Sequence, residues 1–226
     1  MAPFNIATYR KQFAIAYRDV QRLYTLRYVR NNIVAMLESR PVNHNDSLVN
    51  NWLLTCYAET VAVGIRRQAE GNEGAPKATV GSLLLRIENQ AGAFTPKALG
   101  YDYEPDPGRG HMWLNYAGTL KSSLDPERVT NVRQLVKDSA SVAKHWVDKR
   151  IAHMDIKTVD SEVNATLGDL ERALAGLLEG TMFLFSLLHP GNVLAHITPV
   201  VQYNWTQIFE EPWLRKGTGL PFDPTE

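Results

Sequence analysis

From Ala7 to Ser39 the chain runs 33 residues without a glycine or a proline, and its large apolar side chains recur at helical intervals. Tyr9, Phe13, Tyr17, Val20, Tyr24, Val29, Ile33 and Leu37 follow one another at steps of three, four or five. That period fits one stripe along an α-helix and cannot be laid on a strand, where alternate residues share a face. Pro41 ends the run, because the residue before a proline is pushed out of helical backbone geometry. No stretch of the chain alternates apolar and polar residues, so the expected class is all-α.

The same reading places four more helices. The second covers Asn45–Glu70, with Asp46 or Ser47 able to cap it and Trp52, Leu53, Cys56, Tyr57, Thr60, Val61 and Val63 as its buried stripe. The third, Ala78–Gln90, is short. The fourth is expected as one continuous helix, Asp125–Met154. It opens on a capping aspartate, a proline at the first helical position and Glu127. Small Ser139, Ala140 and Ala143 on it would let a neighbouring helix come close. The fifth, Val163–Leu188, stops at His189-Pro190-Gly191. Between the third and fourth lies an irregular aromatic insertion, residues 91–124, rich in Gly and Pro and holding Tyr101, Tyr103, Trp113 and Tyr116. The reading is an antiparallel helical bundle of about five main helices over residues 1–190. A C-terminal tail, residues 191–226, follows with a short helix near 194–209.

Composition narrows the function classes. Lys plus Arg and Asp plus Glu both number 24, so the net charge is zero, and binding to polyanions through bulk charge is not expected. Local basic sites remain open: Arg10, Arg18, Arg22, Arg27 and Arg30 share the first helix. They read as a solvated face or as a stripe that tracks phosphates. The lone Cys56 cannot pair within the chain, which fits a reducing cytoplasm, and it reads as a small buried hydrophobe. The first residues have no signal-peptide core, and no apolar run is long enough to span a membrane. Asp102, Glu104 and Asp106 have metal-ligand types at alternate positions but lack the glycine and distal glutamate of a calcium loop, so no metal and no cofactor are expected.

Chemistry concentrates at the end of the fourth helix, AKHWVDKRIAHMD over Ala143–Asp155. Lys149 and His153 stand one α-helical turn apart, and Arg150 is within reach of Trp146 and His153. Trp146, Val147 and Ile151 are apolar and should turn inward. His153 also has a plain structural reading, as a histidine capping a helix C-terminus.

Asp148, Lys149, Arg150, Ala152, His153 and Asp155, with the earlier YAETVAVGIRR, resemble the abortive-infection AbiU-like branch of the HEPN superfamily. The resemblance covers residues 1–190. It implies an all-helical domain that pairs through the motif helix and binds RNA. It further implies metal-independent RNA cleavage, in an anti-phage or toxin–antitoxin setting with an antitoxin or other protein partner. His153 would be the general acid/base, Arg150 and Lys149 the phosphate contacts, and Asp148 and Asp155 the orienting carboxylates. Such chemistry needs an imidazole to move a proton near neutral pH and a guanidinium against phosphate. In this sequence Arg150 precedes His153 by three residues, closer than the family's usual spacing. The alternative is a non-catalytic helical protein that uses the same basic helix end for a partner, a dimer contact or a small anion. A homodimer is expected on either reading, from the aromatic content and the pairing of the family.

Overall fold

A computed structural model describes residues 4–38, 48–71, 78–100, 113, 123–151, 165–190, 192 and 197; of residues 37, 48–50, 150 and 151 only the backbone is described. Among the described residues there is no strand, and the class is all-α. Helix α1 runs Ile6–Glu38, α2 Leu48–Ala69, α3 Val80–Asn89, and the short α4 Pro96–Leu99. Then come α5 at Pro126–Ser139, α6 at Ser141–Trp146, a π turn at Val147–Ile151 and α7 at Leu167–Leu188.

Helix α7 holds the bundle together, touching α1, α2, α3, α5 and α6. Its stripe of Leu170, Leu174, Leu177, Leu184 and Leu187 is fully buried, and Gly176 and Gly180 lie on the same side. These two glycines set how closely α5 approaches. A Cβ on Gly180 would stand 2.6 Å from Val136 Cγ2 and 3.1 Å from Val80 Cγ1, and one on Gly176 would collide with Ser139. The small residues on the fourth helix therefore do meet a close neighbour. Helix α1 contributes Tyr9, Phe13, Ala16, Val20, Leu23 and Tyr24 to the core. Tyr24 Oη donates to the Leu174 carbonyl at 3.0 Å, and burial pushes its phenol up to about 12.

Helix starts follow the capping residues. Asp125 accepts from the Glu127 amide at 3.0 Å, as its sequence implies. Thr166 and Asp169 form a reciprocal capping box. That box starts α7 at Leu167, later than the Val163 expected; residues 165 and 166 are not helical. Of the insertion, the described parts are a 3₁₀ turn at Ala91–Ala93, α4, which ends on Gly100 at φ 81°, and buried Trp113. Leu124 N–H closes back onto the Phe94 carbonyl at 2.9 Å. Of the expected tail helix near 194–209 only Ile197 is described, in a bend and packed against the core, and the acidic cluster Asp102, Glu104 and Asp106 lies outside the described residues.

Two further expectations are corrected. In α2 the buried stripe is Tyr57, Val61, Ala62, Ile65 and Gln68, while Trp52 is 63% exposed and Thr60 and Val63 face outward. Among the described residues the groove along this half of α2 is lined by α1 and α2 alone, which leaves part of its apolar surface uncovered. The fourth helix is not continuous: it breaks at Ala140. Ser139 Oγ donates to the Val136 carbonyl at 3.0 Å and Ser141 Oγ to the Asp138 carbonyl at 2.7 Å. Serine hydroxyls that bond backward in this way compete with the backbone ladder and bend helices. The facing Gly176 leaves room for the bend.

Candidate anion-binding face

Beyond the bend, α6 continues only to Trp146, and the next five residues wind as a π turn. Ala143 and Val147 fix its inner side in the core, with Trp146 half-buried against the same cluster. Lys144, His145 and Lys149 are exposed on the outer side. The wider π winding changes the phase from Val147 onward. The side chain of Arg150, expected to reach Trp146, lies outside the described residues.

Asp148 pairs across to α2. Its Oδ1 lies 2.6 Å from Nε of Arg66, at the end of α2, and Arg66 also faces Glu70 at 3.6 Å. The Arg66 Nε–H does not point along the line to Asp148, so the contact is ionic rather than a formed hydrogen bond. The pair is about one-third exposed on both sides and fastens the π turn to α2. Lys149 is exposed. The side chain of Arg150, with His153 and Asp155, lies outside the described residues, so their mutual geometry is not described.

Other basic residues divide into engaged and open ones. Arg10 is engaged: it donates to the Leu188 and Leu99 carbonyls at 2.7 and 2.9 Å, closing the C-termini of α7 and α4. Arg27 stands 2.6 Å from Glu171, and Arg67 donates to Asp19 at 3.0 Å. The arginine face of α1 is thus partly tied into the fold and does not present an unbroken phosphate stripe. Arg133 of α5 donates to Glu88 of α3 through Nε at 2.5 Å and Nη2 at 3.3 Å. Burial raises the Glu88 carboxyl, but hydrogen bonds from Arg133 and Thr130 outweigh it and hold the group below its ordinary value. Lys137 and Lys144 are exposed and have no ion-pair partner among the described residues.

Arg133, Lys137 and Lys144 are spaced four and seven apart and border one cleft with Ala140 between them. Of these, Lys144 lies in the stretch singled out from the sequence, while Arg133 and Lys137 were passed over although their helical spacing was visible. His189 has a structural place: it caps α7 and packs against Phe13 and Phe185 at ring-centroid distances of 5.8 and 5.4 Å. Burial, then the Arg10 charge, holds its imidazole below the ordinary value.

Two grooves lie between α1 and α2. One, of about 680 Å³, is floored by Leu23, Leu26 and Gly64 and edged by Asp19, Arg22, Glu59 and Arg67. The other, of about 210 Å³, is lined mainly by Leu26, Val29, Ile33, Leu53 and Tyr57. Among the described residues no group of His, Cys, Asp and Glu could hold a metal ion. None of their helices is long and apolar enough to cross a membrane. No family model, characterised protein or solved structure matches the chain.

Proposed function

We propose that the chain is a helical RNA-binding domain of the HEPN kind. Its architecture is an antiparallel bundle of about five main helices with an aromatic insertion. The observation that supports this reading is charge segregation in a neutral chain. Lys137, Lys144 and Lys149 stand exposed along α5, α6 and the π turn; of the two acids in the same stretch, Asp148 is held by Arg66 and the exposed Asp138 accepts a hydrogen bond from Gln134. Cations without an ion-pair partner, as these are among the described residues, are what a phosphate backbone engages, with release of its counterions. On this reading Lys149 and Arg150 contact phosphate, His153 moves the proton in metal-independent cleavage, and Asp155 orients it. Asp148 positions the turn through Arg66. A homodimer, a cytoplasmic place and a role in anti-phage or toxin–antitoxin defence with an antitoxin partner belong to the same proposal.

The test is incubation of the purified protein with mixed RNA in chelator, wild type beside His153→Ala, with binding followed separately by anisotropy. Cleavage should fall by roughly 10²–10⁴-fold in the variant while RNA still binds. Wild type that leaves every RNA intact would remove the catalytic part. Wild type that also fails to bind RNA at low salt would remove the reading as a whole.

A second reading, a non-catalytic helical interaction protein, is favoured by one region. Trp52 is exposed beside the apolar groove between the C-terminal half of α1 and the N-terminal half of α2. Two helices alone leave apolar faces that a partner can cover. Under this reading RNA binding is absent and Trp52→Ser changes the assembly state.

A further inference from the structure

The cleft bordered by Arg133, Lys137 and Lys144 has a second wall. It is formed by Ala69 at the end of α2, by Glu70 and Gly71 just after it, and by Gly81 in the first turn of α3. The two segments of this second wall are pressed together. Gly81 lies so close to the Ala69 carbonyl that a Cβ would collide with it, and Gly71 is similarly close to the Gly81 carbonyl. Gln68 and Thr79 fix the junction. Gln68 Oε1 accepts from the Val80 amide at 3.2 Å, and Thr79 Oγ1 donates to the Glu70 carbonyl at 3.0 Å.

The first turn of α3 is almost fully satisfied. The amide of Val80 goes to Gln68, that of Ser82 to Thr79 Oγ1 and that of Leu83 to the Thr79 carbonyl. No described residue accepts from the Gly81 amide, and Gly81 borders the cleft. Across from it are two lysines without ion-pair partners. Arg133 adds a third cation; its bonds to Glu88 use Nε and Nη2 and leave Nη1. Glu70 is the one acid on the cleft, and it faces Arg66. The cleft holds about 160 Å³, the space of about five waters. That suits one tetrahedral anion and part of its hydration, and it is too small for a nucleoside.

We infer that this cleft is a binding site for a single phosphate monoester group, held by Lys137, Lys144 and Arg133. The rest of the ligand stays outside. The dianion of a terminal phosphate suits such a cluster better than the single charge of an internal phosphodiester, which must also thread chain in and out. The shared chemistry has two sources, a free small phosphate and the phosphorylated end of an RNA strand. Occupancy of the site does not require that the chain cleave RNA.

The experiment is calorimetric titration of the full chain with inorganic phosphate at constant ionic strength set with chloride. Beside it, anisotropy compares one oligoribonucleotide carrying either a 5′-phosphate or a 5′-hydroxyl. Lys137→Gln and Lys144→Gln are exposed changes and should leave the fold intact, as circular dichroism would confirm. Each should weaken phosphate binding by about tenfold, the worth of one charge-assisted hydrogen bond. Tighter binding of the 5′-phosphorylated strand, lost in Lys137→Gln/Lys144→Gln, would assign the RNA end. Saturable inorganic phosphate binding with equal affinity for both strands would assign a free small phosphate. Absence of both signals in the wild type overturns the inference, as does binding unchanged in the folded double variant. RNA binding that persists without preference for the 5′-phosphate and without inorganic phosphate binding overturns the cleft while sparing the RNA reading.

Discussion

Gln68 is a fully buried polar side chain in a helix whose sequence reads as apolar on that side, and replacing it tests how the cleft is built. Its amide joins three helices. Nε2 donates to Asp19 Oδ2 of α1 at 3.0 Å, and Oε1 accepts from the Val80 amide of α3 at 3.2 Å. Gln68→Leu keeps the approximate volume and removes both bonds. The Val80 N–H then has no acceptor, and Val80 is fully buried, so water does not replace it. An orphaned buried donor costs about 1–3 kcal/mol. The Asp19 carboxylate retains Arg67, at 3.0 Å, and is partly exposed, so that end loses less than 1 kcal/mol or so. Extra apolar burial by leucine returns part of this. The expected net loss is about 1–3 kcal/mol, read as a lower urea midpoint at unchanged slope. Gln68→Glu should behave differently: it keeps the acceptor for Val80 but places a second carboxylate against Asp19. Its deficit should shrink as pH falls and a carboxyl takes up a proton, whereas the leucine deficit should persist. A leucine variant as stable as wild type would refute the claim that Gln68 holds the start of α3.

Other consequences follow from the same packing. Gly180→Val should destabilise by about 1–3 kcal/mol by urea unfolding, because Val136 and Val80 have no space to yield, whereas Gly92→Ala, with nothing within 4 Å, should not. Thr166→Ala breaks the capping box of α7 and should cost about 1 kcal/mol in the same assay. His189 favours its neutral form when folded, so the unfolded chain binds the extra proton. Its contribution is complete above the ordinary value of 6.5 and declines as pH falls through that value toward the depressed folded one; His189→Gln should flatten that part of the stability–pH curve. Tyr24→Phe should lose about 1 kcal/mol, and the ultraviolet titration of the wild type should contain one phenol near 12 that the variant lacks.

The helices were legible because their signals are local. Stripes at 3.6 residues gave α1, α2, α3 and α7 to within a few residues, and Asp125-Pro126-Glu127 fixed the start of α5. The face of α2 was misread at Trp52 and Val63, since an apolar side chain announces burial only when a neighbour exists to bury it. The break at Ala140 was hidden because Ala140 itself is a strong helix former. What bends the chain is a pair of serine hydroxyls and a glycine on another helix, Gly176. The partner of Asp148 was likewise illegible. Arg66 is more than eighty positions away in sequence, and both residues have closer opposite charges to choose from.

That long-range pair bears on how the basic end is presented. A continuous α-helix from Asp125 would carry its lysines straight along one axis. Instead, the serine bend sets α6 against α2, the π turn shifts the winding, and Arg66 neutralises Asp148. Each step leaves cations exposed, and the last ties Asp148 to Arg66 instead of to them. Arg66→Ala should therefore act in two directions. Freed Asp148 can turn toward Lys144, one helical turn back, or Lys149, and lower the local positive charge. Anion affinity should fall even though the arginine is not itself a contact. Asp148→Asn should raise it, because a negative charge is removed beside the lysines. The paired variant Arg66→Ala/Asp148→Asn should recover part of the wild-type affinity, Glu70 having also lost Arg66, a recovery that a direct anion contact by Arg66 would not give. Anisotropy with single-stranded RNA at two salt concentrations reads all three. If Arg66→Ala and the paired variant bind equally weakly, Arg66 touches the ligand and the positioning argument is wrong.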